Sequence, residues 1–392
     1  MKNKISVAVI GGCGHVGLPL SIALAQHFPV HIVDVDVAAA KLVSSGIVPF
    51  REEGATEQLQ AVIGKTLNVH TTPEIISDVS HVVVVIGTPV DEHLNPDFTL
   101  FDRVLDQLGS HLRSGQTLIL RSTIFPGTTA RVARLLSDRG LAVHVAFCPE
   151  RVAEGFALRE IRDLPQIVSG ATPEAIASAR SLFEKIGPEL IDLPAEEAEV
   201  AKLFTNAWRY ISFSVANQFQ MIASERGLSF ARILKAMKHN YPRAQAMPGP
   251  GFAAGPCLFK DTMQLAAYAD NQFFLGHAAM LINEGMPRFL VDRVRAKHPD
   301  LAQRTVGILG MAFKAGSDDT RESLSYKLKK VLQIESRTVL TTDPYVTTDP
   351  TLSPLAEVLT RSDLLVVGVP HPEYRDLPSS NKPIYDLWNS RC

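Results

Sequence analysis

The sequence predicts an α/β fold in which two mostly parallel sheets are joined by one long central helix. Three observations carry that expectation. Strand-length β-branched runs alternate with helix-length stretches through the first half, the pattern of parallel strands linked by helical crossovers. From Glu196 onward the apolar residues recur instead at every third and fourth position. A new β-branched run opens at Thr305-Val-Gly-Ile-Leu-Gly310 and restarts the alternation.

In chain order, strands are expected at residues 7–10, 31–35, 82–86, 117–121 and 143–147. Val200, Leu203, Phe204, Ala207, Ile211, Val215 and Phe219 then share one helical stripe, uninterrupted by proline and with only Gly227 as a break. That spacing predicts a single amphipathic helix of about thirty residues. Further strands are expected at 305–310, 338–341, 363–369 and 383–387. Breaks near 195 and 300 divide the chain into 1–194, 195–300 and 301–392.

Lys and Arg number 39 and Asp and Glu 41, a formal net charge of −2. No global field draws nucleic acid or an anionic membrane, so neither is expected as a partner. The longest apolar runs, such as 82–86 and 364–367, are strand-length and too short to span a bilayer. Met-Lys-Asn-Lys leads straight into the first strand without a signal-type apolar region. Cys13, Cys148, Cys257 and Cys392 show neither zinc-type spacing nor tight pairing, so no metal is expected. A reduced, cytoplasmic protein is the simplest expectation.

The first strand ends in Gly12-Cys-Gly-His-Val-Gly17, and a helix-like stretch follows. A fingerprint of this kind also fits a plain turn, but its place between a strand and a helix favours a Rossmann-like dinucleotide site. Gly12, Gly14 and Gly17 would let a pyrophosphate approach the amides near His15 and Val16 at the helix N-terminus. Asp34, twenty residues beyond Gly14, would accept hydrogen bonds from a ribose and repel a 2′-phosphate, which selects NAD over NADP. Asp36 competes for that role.

Cys257 lies in Gly249-Pro-Gly-Phe-Ala-Ala-Gly-Pro-Cys-Leu-Phe-Lys-Asp261. A thiolate can trap an aldehyde as a covalent adduct and hold it for a second oxidation. Glycines upstream, Gly251 among them, allow close approach of a ligand, and Lys260 and Asp261 supply charge nearby. The plainer reading is a small core cysteine. Lys202 and Asn206 are four apart and share a helix face, an arrangement suited to a developing alkoxide, although such polar pairs are common on helices. Glu150 and Glu154 form a pair of acids in one loop, where each can raise the other's affinity for a proton and serve water as a base. Lys314 and Arg321 follow the strand at 305–310, where open α/β sheets bind anionic ligands.

Seven ordered motifs carry a resemblance. They are Gly12-Cys-Gly-His-Val-Gly-Leu-Pro19, Gly87-Thr-Pro89, Ser122-Thr-Ile-Phe-Pro-Gly127 and Cys148-Pro-Glu-Arg-Val-Ala-Glu-Gly155. Lys202-Leu-Phe-Thr-Asn206, the Cys257 loop and Phe313-Lys-Ala-Gly-Ser-Asp-Asp-Thr-Arg-Glu-Ser323 complete them. Over nearly its whole length the chain resembles the UDP-glucose/GDP-mannose dehydrogenase family, whose members oxidise nucleotide sugars to uronic acids with two NAD per turnover. The resemblance implies two Rossmann-like domains, a Cys257 thiohemiacetal and thioester, and an oxyanion-type site from Lys202 and Asn206. It gives Asp261 a part in activating water, Glu154 a part in thioester hydrolysis, and Thr123 a place in the same water network. Thr88, Thr123, Glu154 and Arg321 join the cofactor set. Glu150, Arg151, Lys202, Asn206, Gly251, Phe313 and Lys314 join the sugar-nucleotide set, to which Arg321 also contributes. Arg243 matches an arginine that reaches a neighbouring subunit's sugar site, so a homodimer is expected. The pathway implied is uronic acid supply for a surface polysaccharide.

Two departures from the family pattern bear on the sugar. Many relatives carry Gly-Gly-x-Cys, whereas this chain has Ala254-Gly-Pro-Cys257 with one extra residue. Pro149-Glu-Arg151 replaces the Pro-Glu-Phe usual for UDP-glucose, and resembles the enzymes for N-acetylated UDP-hexosamines. Two alternatives stay open: a two-electron hydroxyacid-type dehydrogenase, and a non-catalytic NAD-binding protein of the same fold.

Overall fold

A computed structural model describes residues 5–377 and 382–388. The start of the chain and Cys392 lie outside the described residues. The chain divides into two compact units, Met1–Thr205 and Asn206–Cys392.

The first unit is built on eight strands: β1 (Val7–Ile10), β2 (Val30–Val33), β3 (Leu67–His70), β4 (His81–Val84), β5 (Thr117–Leu120), β6 (His144–Phe147), β7 (Gln166–Gly170) and β8 (Leu190–Asp192). They form one sheet in the order β3-β2-β1-β4-β5-β6-β7-β8, parallel except where β6 meets β7. β1, β4 and β5 are buried at every position, which is why they read as largely apolar runs. The five strands expected in this half are present within two residues at each end. β3, β7 and β8 escaped the sequence reading because Asn68 and His70, Gln166 and Asp192 break their apolar character.

The second unit holds β9 (Thr305–Leu309), β10 (Thr338–Thr342), β11 (Leu364–Val367) and β12 (Ile384–Tyr385) in the order β10-β9-β11-β12, all parallel. Strand order therefore reverses between β1 and β4 in one sheet and between β9 and β11 in the other. Such reversals open a crevice beyond the carboxyl ends of the strands, and most of the candidate loops leave the sheets there.

The long helix runs from Ala195 to Glu225, 31 residues. Its apolar residues serve two faces rather than the single stripe expected. Leu203, Ala207, Tyr210 and Ala216 are buried, whereas Phe204, Trp208, Val215, Phe219 and Ile222 are exposed, Trp208 by 69%. The boundary between the compact units falls within this helix.

Candidate active site

In the first unit, β1 delivers the chain into a turn at Gly11, φ +76°, where a Cβ would lie 2.0 Å from the Val85 carbonyl oxygen. Gly17 is as tightly held, since a Cβ there would come within 2.3 Å of the Gly11 carbonyl oxygen. The helix Gly17–Ala25 thus packs directly on the turn, as the fingerprint requires. Gly11 was missed in the sequence reading, although the Gly11-Gly12 doublet was its signal. Gly14 is different: a Cβ there would meet nothing nearer than 3.9 Å, so its side of the turn is open. Val16, at the N-cap of this helix, offers no side-chain cap and the first turn holds no acid, leaving the positive end to an anion. The His15 ring stacks on Phe50 at 4.0 Å.

Asp34 sits just beyond β2, half-buried, and accepts from the Cys13 amide at 2.9 Å and the Asp36 amide at 3.0 Å. Its carboxylate is therefore tied to the glycine turn. Asp36 instead caps the helix Val37–Ser44, accepting from Ala38 and Ala39 at 3.0 Å each. Burial first, then the Asp34 charge, pushes the Cys13 thiol up to about 12, so this cysteine stays protonated. The glycine turn, the uncapped helix and the acid at the strand end fit a dinucleotide with free ribose hydroxyls.

Thr88 and Thr123 follow β4 and β5, beside the reversal of strand order. Ser122 Oγ accepts from the Ile86 amide at 2.8 Å and ties these two loops together. Glu199, on the long helix and 1% exposed, accepts from the Gly127 amide (2.6 Å), the Thr129 amide (2.8 Å) and Thr129 Oγ1 (2.6 Å). It caps the helix Thr128–Asp138 from outside and fastens the Thr123 loop to the helix that carries Lys202 three residues on. Burial pushes the Glu199 carboxyl up, against the pull of those three donors. The sequence reading missed this residue; an acid one turn before a polar pair was the only signal.

Of the expected pair Glu150 and Glu154, Glu150 has its partners inside the fold. Glu150 is buried against the Arg121 guanidinium, and its other oxygen accepts from the Arg151 and Val152 amides at 2.7 and 3.2 Å. Arg121, 1% exposed, also donates to the Cys148 carbonyl at 3.0 Å and to Gln166 at 2.9 Å. Both oxygens of Glu150 thus have internal donors, and the bond that matters to it is a salt bridge inside the fold. Arg151 donates to the Pro165 carbonyl. Glu154 precedes Gly155, φ +86°, in a loop held by Glu52, whose carboxylate accepts from the Gly155 amide at 2.8 Å and the Leu158 amide at 3.0 Å.

In the second unit, Cys257 is exposed and occupies the N-cap position of the helix Leu258–Tyr268. A thiolate there sits at the positive end of the helix dipole. Asp261, fully buried one turn on, accepts from Asn206 Nδ2 at 2.6 Å and Lys260 Nζ at 2.5 Å. Asn206 and Asp261, 55 residues apart in sequence, are thereby brought together. The Lys260 ammonium, one of the charges expected near the sulfur, bonds to Asp261. Lys202 lies one turn before Asn206 on the long helix.

Gly251 has φ +149°, and a Cβ there would fall 2.0 Å from the Trp388 ring. Buried Asn217 clamps it from both sides, donating to the Gly251 carbonyl at 2.9 Å and accepting from its amide at 2.8 Å. Asn217 was also missed; it stands eleven residues, three helical turns, beyond Asn206. Gly255 is positioned so that a Cβ would lie 2.6 Å from the Phe313 ring, and Lys314 Nζ lies 5.6 Å from that ring's centre. The Phe313–Lys314 loop and the Cys257 loop are therefore in contact. Arg321 is gripped by Asp319 through Nε (2.9 Å) and Nη2 (2.6 Å), with its side chain 57% exposed. Arg243 is exposed, 5.8 Å from the Tyr241 ring centre.

Comparison with known proteins matches this architecture end to end. Residues 5–187 match the NAD binding domain of the UDP-glucose/GDP-mannose dehydrogenase family, 196–284 its central domain and 307–390 its UDP binding domain. A UDP-N-acetyl-D-mannosamine dehydrogenase of Pyrococcus horikoshii is 30% identical over 385 residues, covering 95% of this chain and 90% of the relative. An NDP-N-acetyl-D-galactosaminuronic acid dehydrogenase of Ralstonia solanacearum is 27% identical, covering 95% and 92%. The solved structure of the UDP-D-ManNAc dehydrogenase from Pyrococcus horikoshii superposes with a TM-score of 0.90 at 26% identity, covering 99% of this chain and all of that one. Fold and site thus define an NAD-dependent oxidoreductase acting on a nucleotide sugar. The chain belongs to the UDP-glucose/GDP-mannose dehydrogenase family. Among the described residues no helix is long and apolar enough to cross a membrane.

Proposed function

We propose that the protein is a nucleotide-sugar 6-dehydrogenase that carries the primary alcohol of a UDP-N-acetylhexosamine through four electrons of oxidation to the uronate. The observation that carries this reading is Cys257, exposed at a helix N-terminus one turn before the buried Asp261–Asn206–Lys260 cluster. Bound NAD supplies the hydride acceptor for both oxidations, held by Gly12, Gly14, Gly17 and Asp34 with His15, Val16, Thr88 and Arg321.

In the first step the alcohol proton leaves through water oriented by Asp261, while Lys202 and Asn206 stabilise the alkoxide. The Cys257 thiolate then adds to the aldehyde, and the thiohemiacetal oxygen takes up the proton. Loss of the second hydride, with the hydroxyl proton passing back to water, leaves a thioester. Water assisted by Glu154 and Asp261, in a network with Thr123, attacks that thioester and releases carboxylate and the thiolate. One water enters, and two hydrides and three protons leave, for each sugar. Phe313, Lys314, Gly251, Arg151 and Arg321 hold the sugar nucleotide, with Glu150 acting through its grip on the Arg151 loop.

Support for the N-acetylated sugar comes from Pro149-Glu-Arg151 and from relatives named for N-acetylated sugars. The exposed stripe Phe204, Trp208, Val215, Phe219 and Ile222 supports a homodimer packed along the long helix, with Arg243 completing the neighbour's site. We read the chain as 1–194 for the cofactor, 195–300 for dimerisation and 301–392 for the UDP-sugar, in a cytoplasmic enzyme of surface-polysaccharide synthesis.

The deciding experiment is a panel of UDP-, GDP- and TDP-sugars with NADH counted per sugar consumed. Two NADH per UDP-N-acetylhexosamine, and no net uronate from Cys257→Ser, is the expected result. One NADH per sugar with wild-type Cys257 would establish the two-electron alternative instead.

A further inference from the structure

The loop that carries Phe313 and Lys314 leaves β9 and is braced at both ends by two side chains from neighbouring strand ends. Asp343, just past β10, accepts from the Met311 and Ala312 amides at 2.7 and 3.0 Å on Oδ2. Its Oδ1 accepts from the Tyr345 and Val346 amides at 2.9 and 3.1 Å. His371, past β11, donates from Nε2 to the same Asp343 Oδ2 at 3.1 Å. Its other nitrogen, Nδ1, accepts from the Gly316 amide at 3.1 Å. The two residues thus hold positions 311 and 312 on one side of Phe313–Lys314 and position 316 on the other.

Burial and neighbours leave this histidine little freedom. It is fully buried, and the Tyr345 and Tyr374 rings meet it edge-on with centres 4.9 and 5.7 Å away. The Gly316 N–H needs a lone pair on Nδ1, so the proton belongs on Nε2, where Asp343 receives it. Burial works to raise the Asp343 carboxyl, but the hydrogen bonds from His371 and the two loop amides work to lower it, and the net direction is down. The acceptor end of the brace is therefore ionised at any working pH.

We infer that His371 is a positioning residue for nucleotide-sugar binding. It fixes the far end of the 311–316 loop, so Lys314 is in place before the ligand arrives, which removes an ordering cost from binding. The Phe313 ring, packed where a Cβ on Gly255 would stand, carries the same constraint to the loop two residues before Cys257. The inference rests on the reading of Lys314 as a ligand of the nucleotide.

Two amide variants separate the two bonds. In His371→Asn the amide oxygen overlies Nδ1 and keeps the Gly316 bond; in His371→Gln the amide nitrogen overlies Nε2 and keeps the Asp343 bond. The dissociation constant of UDP is measured by calorimetry on the full-length protein, with NAD titrated into the same preparations and unfolding temperature recorded. His371→Gln is expected to weaken UDP about tenfold, the worth of roughly one hydrogen bond. His371→Asn is expected to stay within about threefold, with NAD affinity unchanged in both. Equal loss of UDP and NAD affinity in His371→Gln, or equal UDP affinity in the two variants, overturns the inference and leaves His371 as a core residue. Lys314→Ala keeps the failures apart: if it leaves UDP binding unchanged, the nucleotide reading of this loop falls, and the inference with it. If it weakens UDP while His371→Gln does not, the inference alone falls.

Discussion

Replacing Asp261 by Asn tests whether its carboxylate does chemistry or only anchors the fold. The substitution keeps the side-chain volume and one acceptor oxygen, so the Asn206 Nδ2 bond, 2.6 Å in the native protein, has a partner still. What changes is the charge facing Lys260 Nζ. Asp261 is fully buried and Lys260 keeps only 18% side-chain exposure, so removing one partner leaves an ammonium in a nearly dry setting. Breaking a buried pair in this way costs about 3–5 kcal/mol, and the residual exposure of Lys260 places the expected loss near ~3 kcal/mol. Loss of a positioned base costs a further 10²–10⁴ in kcat on general acid–base precedent. Urea unfolding and steady-state kinetics are measured on Asp261→Asn and on the double variant Lys260→Met/Asp261→Asn. The double variant removes the stranded charge and should recover most of the stability but none of the activity. If Asp261→Asn loses stability yet keeps kcat within threefold of native, the carboxylate is an anchor and the proposed proton route is wrong.

Asp34→Ala should raise the KM for NAD by at least tenfold, whereas Asp36→Ala should cost ~1 kcal/mol of stability through its lost helix cap and leave that KM alone. Reversed effects in NAD titrations of the two variants would assign the ribose to Asp36. Gly251→Ala would drive a Cβ to 2.0 Å from the Trp388 ring, so it should destabilise the second unit by ~2 kcal/mol or more. Unfolding curves that recover in Gly251→Ala/Trp388→Ala would locate the clash; no loss in the single variant would refute it. His81 is buried between Ser80 Oγ and Ser178 Oγ at 2.9 and 3.0 Å, and burial lowers its pKa below 6.5. The folded state therefore binds fewer protons there than the unfolded one. Its contribution is complete above pH 6.5 and declines as pH falls below it, by at most ~1.4 kcal/mol per pH unit. His81→Gln should flatten that part of the stability–pH curve, and parallel curves would exclude this role.

Much of the architecture was legible because the signals were local. Nine strands announced themselves as β-branched runs, and the long helix by its three-and-four spacing; the short strands carrying Asn68, Gln166 and Asp192 did not. The motif residues were legible for the same reason, being short and contiguous. Their partners were not. Arg121 with Glu150, Glu199 with Gly127 and Thr129, Asn217 with Gly251, and His371 with Gly316 are all 29 or more positions apart. The expected pairing of Glu150 with Glu154 carried no sign of Arg121, since adjacency in sequence says nothing of where a buried cation lies.

The sequence by itself determined the two dinucleotide-type sheets, the helix between them and the residue types able to do redox and covalent chemistry, because periodicity and turn chemistry act over a few neighbours. Only the tertiary structure decided which charged groups meet which. It set Asp261 against Asn206, buried Glu150 against Arg121, and placed Asp343 and His371 around Lys314. A buried polar group takes whatever donor or acceptor the packing brings within about 3 Å, and packing joins positions that are remote along the chain.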